Sequence, residues 1–167
     1  MKADEKKYFP MFVDLTQKKV TVIGAGNIAK RRIETLLSFA GTIEVIAPDA
    51  CERIKELAKE GRLVWKEKEY DREDLYDADL VLSATNNEKV NNDVYSACKC
   101  LGISVNTASN RMKCDFYFPS ILQNEETVIG LNSAGNPAKT KNVRKEMQKW
   151  IEEAGEKHEY KSDNWQP

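Results

Sequence analysis

One stretch of the sequence decides the fold: Val20-Thr21-Val22-Ile23-Gly24-Ala25-Gly26-Asn27-Ile28-Ala29. Its first four residues are β-branched and predict a buried strand, and apolar residues recur at helical spacing from Asn27 to Ala40. Between strand and helix stands a Gly-x-Gly-x-x-Ala sequence. There the first glycine permits a tight turn, the second lets a pyrophosphate approach the backbone, and the alanine lets the helix pack closely on the sheet. The stretch therefore predicts a dinucleotide site whose phosphates face the N–H groups of Asn27 and Ile28.

Strands and helices alternate on the C-terminal side of this stretch as far as residue 106, and after it the pattern changes. The predicted strands are residues 19–23, 42–47, 63–65, 79–84 and 103–106. Alternation of this kind is typical of a parallel sheet with helices on both faces. Two further strands, 116–118 and 127–131, predict an antiparallel hairpin, and a last helix is expected after Pro137. We therefore predict an α/β chain: a Rossmann-type NAD-binding domain (1–107), a hairpin-and-helix region for dimerisation and substrate (108–154), and a polar tail (155–167).

Composition excludes several classes of protein. The 167 residues carry a formal net charge of −1, so no global basic field attracts nucleic acid. No apolar run approaches the ~20 residues that span a bilayer, and the N-terminus lacks a signal peptide, which predicts a cytoplasmic protein without a membrane segment. The single histidine argues against a His-rich metal site, and we predict no metal ligands and four reduced cysteines.

The end of the second predicted strand bears on the choice between NAD and NADP. An acidic residue usually contacts the ribose there, about 20 residues after the glycine loop. Here the sequence reads Ala47-Pro48-Asp49, with the carboxylate slightly downstream. Asp49 could contact a ribose hydroxyl, cap the following helix, or do both. Because the nearest arginine, Arg53, lies one helical turn further on, the sequence favours NAD over NADP.

Further motifs accompany the glycine loop: Tyr8-Phe9-Pro10-Met11-Phe12-Val13-Asp14-Leu15, Val45-Ile46-Ala47-Pro48, Ala84-Thr85-Asn86-Asn87, Val105-Asn106 and Cys114-Asp115-Phe116-Tyr117-Phe118-Pro119-Ser120. Together they resemble the N-terminal dehydrogenase part of siroheme synthases, from residue 8 to about 151. The resemblance implies a homodimeric precorrin-2 dehydrogenase, which oxidises precorrin-2 to sirohydrochlorin with NAD; some members also insert ferrous iron. The expected NAD-binding residues are Gly24, Gly26, Asn27, Ile28, Pro48, Asp49, Thr85 and Asn106.

Two departures from the family pattern affect the expected chemistry. Where the family reads Asn-Val-Val-Asp, this chain reads Asn106-Thr107-Ala108-Ser109, so Ser109 occupies the position of the aspartate implicated in catalysis. Serine is a poor base unaided, which predicts little chelation and reduced dehydrogenation. The base could instead be Asp115, water or a substrate carboxylate, and Asp115 could equally be structural. The second departure is length: longer relatives carry a helical C-terminal domain, and the expectation is a short form whose substrate cover is absent or comes from another protein.

Basic residues cluster at the predicted last helix. Cations in a first helical turn oppose the helix dipole, and an anionic ligand is one reason to tolerate them. A tetrapyrrole with many carboxylates would fit, although an ordinary solvated basic face is an equal alternative. The candidate substrate-binding residues are Arg111, Lys113, Ser133, Lys139, Lys141 and Arg144.

Two functions remain open from the sequence. The first is an NAD-dependent precorrin-2 dehydrogenase. The alternative is a non-catalytic tetrapyrrole- or NAD-binding module that has lost the family aspartate. A third, an NAD-sensing regulatory domain, does not account for the hairpin and basic helix.

Overall fold

The computed structural model describes residues 9–124, 127–134 and 136–155. The chain divides into two compact units, with the boundary between Phe118 and Pro119. Within the described residues, no helix is both long and apolar enough to cross a membrane.

The first unit is built on a parallel five-stranded sheet. Its strands are β1 (Lys19–Ile23), β2 (Thr42–Ile46), β3 (Val64–Lys66), β4 (Leu80–Ser83) and β5 (Ser104–Thr107), in the order β3-β2-β1-β4-β5. The helices are α1 (Asn27–Leu36), α2 (Glu52–Lys59) and α3 (Glu88–Leu101), with short 3₁₀ turns at Arg72–Leu75 and Arg111–Lys113. The strand order reverses between β1 and β4, which is where such sheets bind ligands at their carboxyl edge. The predicted Rossmann-type sheet is confirmed.

Successive strand side chains point to opposite faces, which creates two apolar layers. On one face, Val20, Val22 and Val45 pack with residues of α1 and α2. On the other, Ile23 and Val81 pack with residues of α3. Complete burial of such a side chain contributes about 1.5–3 kcal/mol to the stability of the fold. The two apolar layers therefore stabilise the sheet on both faces.

Particular asparagine and glycine residues lie at the boundaries of these elements. Asn87 caps α3 through its side chain, and Gly102 closes the same helix at φ 72°. Gly41 lies beyond α1, which ends at Leu36. Glycine is needed at this position because a Cβ there would lie 2.0 Å from the carbonyl oxygen of Thr16.

Residues 108–118 belong to the first unit, whereas the sequence placed the boundary after residue 107. The predicted strand 116–118 was wrong. Instead, the chain turns back antiparallel to β5: Asn106 bridges to Cys114, and the N–H of Asp115 donates to Val105 O at 2.9 Å. Phe116 and Phe118 pack against the apolar layer formed with α1 and α2, because those aromatic rings gain burial there.

The second unit is a hairpin followed by a helix. Strands β6 (Ser120–Gln123) and β7 (Val128–Leu131) pair antiparallel, and α4 runs over Pro137–Gly155. The predicted hairpin is confirmed, with its first strand at β6. Asn136 caps α4 by accepting the N–H of Lys139 at 3.0 Å. Beyond Gly155, the predicted polar tail lies outside the described residues.

Candidate functional site

Backbone hydrogen bonds beyond the strands bring the predicted segments to one edge of the sheet. The N–H of Gly24 donates to Ile46 O at 2.9 Å, and that of Ala84 donates to Ile23 O at 2.8 Å. The N–H of Ala108 donates to Ser83 O, also at 2.8 Å. The segments 24–27, 47–49, 84–87 and 106–109 therefore lie along the carboxyl ends of four adjacent strands.

Gly24 and Gly26 each suit this loop for a different structural reason. Gly24 has φ +102°, and a Cβ there would lie 2.6 Å from the carbonyl oxygen of Ala84. Only glycine fits this turn without strain. Gly26 has φ −84° and ψ −169°, which any residue adopts, and a Cβ there would meet nothing within 4 Å. The space beside Gly26 is therefore open for a ligand, as a close pyrophosphate contact requires.

The N-terminus of α1 is suited to an anion. No side chain caps it, and its first turn contains no acidic residue. By contrast, α3 is capped by the Asn87 side chain, which accepts the N–H groups of Lys89 and Val90. The first N–H groups of α1 thus remain available to donate hydrogen bonds to a ligand, and they lie at the positive end of the helix dipole. Ile28 in this turn is 47% exposed, which leaves the turn accessible, so the residues present fit a dinucleotide pyrophosphate.

Pro48 and Asp49 lie exposed beyond β2, where a ribose would be recognised. The Asp49 side chain is 85% exposed and pairs with Lys55 at 3.1 Å. The hydrogen bond from Lys55 holds the pKa of Asp49 below its usual value, so the carboxylate stays ionised. The alternative in which Asp49 caps α2 was wrong, because Cys51 occupies the N-cap position.

Arg53 forms ion pairs with three glutamates. Its guanidinium lies 3.1 Å from Glu56, 3.6 Å from Glu60 and 3.9 Å from Glu34. Three carboxylates therefore compete with any phosphate for this arginine.

Ser109 follows β5 at the carboxyl edge and is exposed. Its Oγ accepts a hydrogen bond from Asn91 Nδ2 at 3.2 Å. Asn91 also contacts Thr85, so the side chains of two predicted site residues meet at one amide. Asn91 was not among the residues predicted from the sequence. The available signal was a polar residue within the apolar stripe of α3, three positions before Val94.

The Asp115 side chain is bound to one group of β5 and one group of α3. Its carboxylate accepts the N–H of Val105 at 3.0 Å and is paired with Lys99. This arrangement ties the returning segment to β5 and favours the structural alternative for Asp115 over a role as base. Asn106 is 3% exposed, and its Nδ2 donates to Phe116 O at 2.7 Å. No hydrogen-bond partner of its Oδ1 is found among the described residues.

The basic candidates divide between the two units. In the first, Arg111 donates to the hydroxyl of Tyr117 at 2.7 and 2.9 Å, and Lys113 contacts Asn92. In the second unit, three candidate cations are exposed on the N-terminal half of α4: Lys139, Lys141 and Arg144. Ser133 precedes that helix. Their role toward a substrate stays a prediction. Within the described ranges, no group of three His, Cys, Asp or Glu side chains is placed to hold a metal ion.

Comparison with known proteins agrees with this geometry. The sequence model of a family described as putative NAD(P)-binding matches residues 11–120. The chain belongs to this NAD(P)-binding family. The matched range covers all five strands and the returning segment to Phe118.

The individual relatives carry names from siroheme biosynthesis. The chain is 37% identical over 129 residues to the siroheme synthase of Pseudoalteromonas atlantica, covering 77% of the chain and 28% of the relative. It is 37% identical over 143 residues to the probable multifunctional siroheme biosynthesis protein HemA of Ruminiclostridium josui, covering 84% of the chain and 28% of the relative. The chain thus spans less than a third of the length of these curated relatives.

A solved structure matches most of the chain. SirC, a precorrin-2 dehydrogenase, superposes with a TM-score of 0.68 at 26% identity, covering 85% of this chain and 70% of SirC. These matches confirm the resemblance to siroheme synthases, the α/β fold class and the NAD-type cofactor that the sequence predicted.

Proposed function

We propose that this NAD(P)-binding chain is an NAD-dependent dehydrogenase that oxidises precorrin-2 to sirohydrochlorin. The observation that carries the proposal is the uncapped N-terminus of α1 beside the open Gly26, at the switch point of a sheet that resembles SirC. The likeness to siroheme synthases supports the substrate class.

The preference for NAD rests on two neighbouring groups. Asp49 is ionised and exposed, so it can accept the hydrogen bonds of a ribose diol and would repel a 2′-phosphate. Arg53, the nearest arginine, is already paired with three glutamates, and Lys55 is paired with Asp49 itself. Electrostatics on this edge therefore favour NAD over NADP.

The chemistry divides between the cofactor and the protein. NAD, when bound, supplies a hydride acceptor. Gly24, Gly26 and Asn27 would hold its pyrophosphate, and Ser109 would face the substrate. Because the Ser109 oxygen accepts from Asn91, its own proton remains available to donate to the macrocycle. A serine so held is a poor base, so we assign proton removal to water or a substrate carboxylate.

The deciding experiment is anaerobic incubation with precorrin-2 and NAD, following NADH absorbance and the sirohydrochlorin spectrum. We expect stoichiometric NADH and sirohydrochlorin, with slower turnover when NADP replaces NAD. NAD binding without turnover would contradict the proposal and favour the non-catalytic binding module instead.

We also propose a homodimer formed through the second unit, in the cytoplasm, with precorrin-2 held by the cations of α4. Two-stranded sheets are marginally stable alone, and β6 and β7 pair only with each other among the described strands. Val128 on this hairpin is 37% exposed. A second copy would cover such strand edges and apolar side chains.

A further inference from the structure

Asn91 is a buried side chain with partners on two separate loops. It lies on α3 and is 1% exposed. On the β4 side, its Oδ1 lies 2.7 Å from Ser83 Oγ and 2.9 Å from Thr85 Oγ1. On the β5 side, its Nδ2 lies 3.2 Å from Ser109 Oγ. One amide therefore connects the loops that follow β4 and β5.

The orientation of this amide is fixed by backbone groups. Nδ2 lies 2.9 Å from Thr85 O, which can only accept, and Oδ1 lies 3.3 Å from Thr85 N, which can only donate. Reversing the amide would place two acceptors and two donors against each other. Ser109 must therefore accept from Asn91, which directs the serine proton away from α3.

A buried amide is not the least costly residue for packing at this position. The neighbouring inward residues of α3, Val94 and Ala97, are apolar. A buried polar group lowers stability unless all of its hydrogen bonds are made, and here each polar atom of the amide has partners. The amide therefore does something that an apolar side chain could not do: it fixes the relative position of Thr85 and Ser109.

We propose that Asn91 is a positioning residue that holds the Thr85 loop against the cofactor and orients the Ser109 hydroxyl toward the substrate. The catalytic half of this inference rests on the proposed function, whereas the cofactor half requires only NAD binding.

The first test is Asn91→Asp, which keeps the shape but replaces both N–H donors with an acceptor. The new carboxylate oxygen would face Thr85 O and would force Ser109 to donate toward α3. We expect NAD affinity, measured by calorimetry, to fall roughly three- to tenfold, the equivalent of one or two hydrogen bonds. We expect kcat to fall further, with a new ionisation in its pH profile.

The matched control is Val94→Ala, one turn along α3 and also fully buried. It lowers thermal stability without touching either loop. If Asn91→Asp and Val94→Ala change the NAD Kd and kcat equally, within about twofold, Asn91 is only structural and the proposal is overturned.

A second variant covers the case in which Asn91→Asp does not fold. Ser83→Ala removes a buried hydroxyl that bonds to Asn91 from within β4. We expect it to weaken NAD binding about threefold, the equivalent of one hydrogen bond. An unchanged Kd in a folded Ser83→Ala protein would contradict the proposal. Calorimetry also separates the two ideas: a chain that is inactive on precorrin-2 yet loses NAD affinity on these substitutions would refute the proposed reaction but not the role of Asn91 in cofactor binding.

Discussion

Gly26→Val should abolish most of the affinity for NAD while the protein still folds. The backbone at Gly26 is extended, and a Cβ there would contact nothing, so the valine can be accommodated. Valine is a poorer N-cap than glycine, which costs about 1 kcal/mol of stability. The cost to binding is different in kind, because the side chain occupies the space through which a pyrophosphate reaches the first N–H groups of α1.

Excluding that approach should weaken NAD binding by at least tenfold, about 1.4 kcal/mol. The Kd is measured by calorimetry, and the fold is checked by circular dichroism and thermal unfolding. Gly26→Ala should lie between wild type and Gly26→Val. A folded Gly26→Val protein with wild-type affinity would refute the placement of the phosphates.

Gly24→Ala is the control that separates folding from binding in the same loop. Its residue has φ +102°, and the new Cβ would lie 2.6 Å from Ala84 O. We expect a loss of at least about 2 kcal/mol in the free energy of unfolding, from backbone strain alone. A Gly24→Ala protein as stable as Gly26→Val would show that the two glycines do not differ as the structure indicates.

The remaining predictions concern the reaction, the assembly and the thiols. Ser109→Asp should raise dehydrogenase turnover, because a carboxylate beside the Asn91 N–H donor is a stronger base than water. Asp115→Asn should lower stability and leave turnover unchanged. Anaerobic NADH assays decide, and a Ser109→Asp enzyme no faster than wild type would show that a base at this position does not limit turnover. The wild-type chain should show little or no iron insertion in the same preparations. Light scattering at micromolar concentration should give twice the mass of the chain, and a monomeric mass would count against the homodimer. Burial raises the pKa of the Cys98 thiol to about 12, so this thiol stays neutral and unreactive at pH 8. Exposed Cys100 should therefore be alkylated first. Mass spectrometry that finds Cys98 labelled as fast as Cys100 would contradict the burial of Cys98.

The sequence by itself determined the features that depend on neighbours along the chain. The β-branched run of β1, the glycine loop and the apolar spacing of α1 each follow from local backbone preference and periodicity. The same is true of the Asn87 cap and the left-handed Gly102. Because parallel strands place their carboxyl ends on one edge, the dinucleotide site followed from the order of these elements.

Only the tertiary structure decided which side chains meet across that edge. Asn91 joins Ser83, Thr85 and Ser109, which lie 6 to 18 residues away in sequence, and no local pattern specifies those contacts. The segment 108–118 ends in three consecutive aromatic residues, 116–118, which predict a hairpin strand. It packs against the sheet instead, because burial there and pairing with β5 outweigh strand propensity. Local preferences fix elements, but the partners of a buried polar group depend on packing between distant parts of the chain.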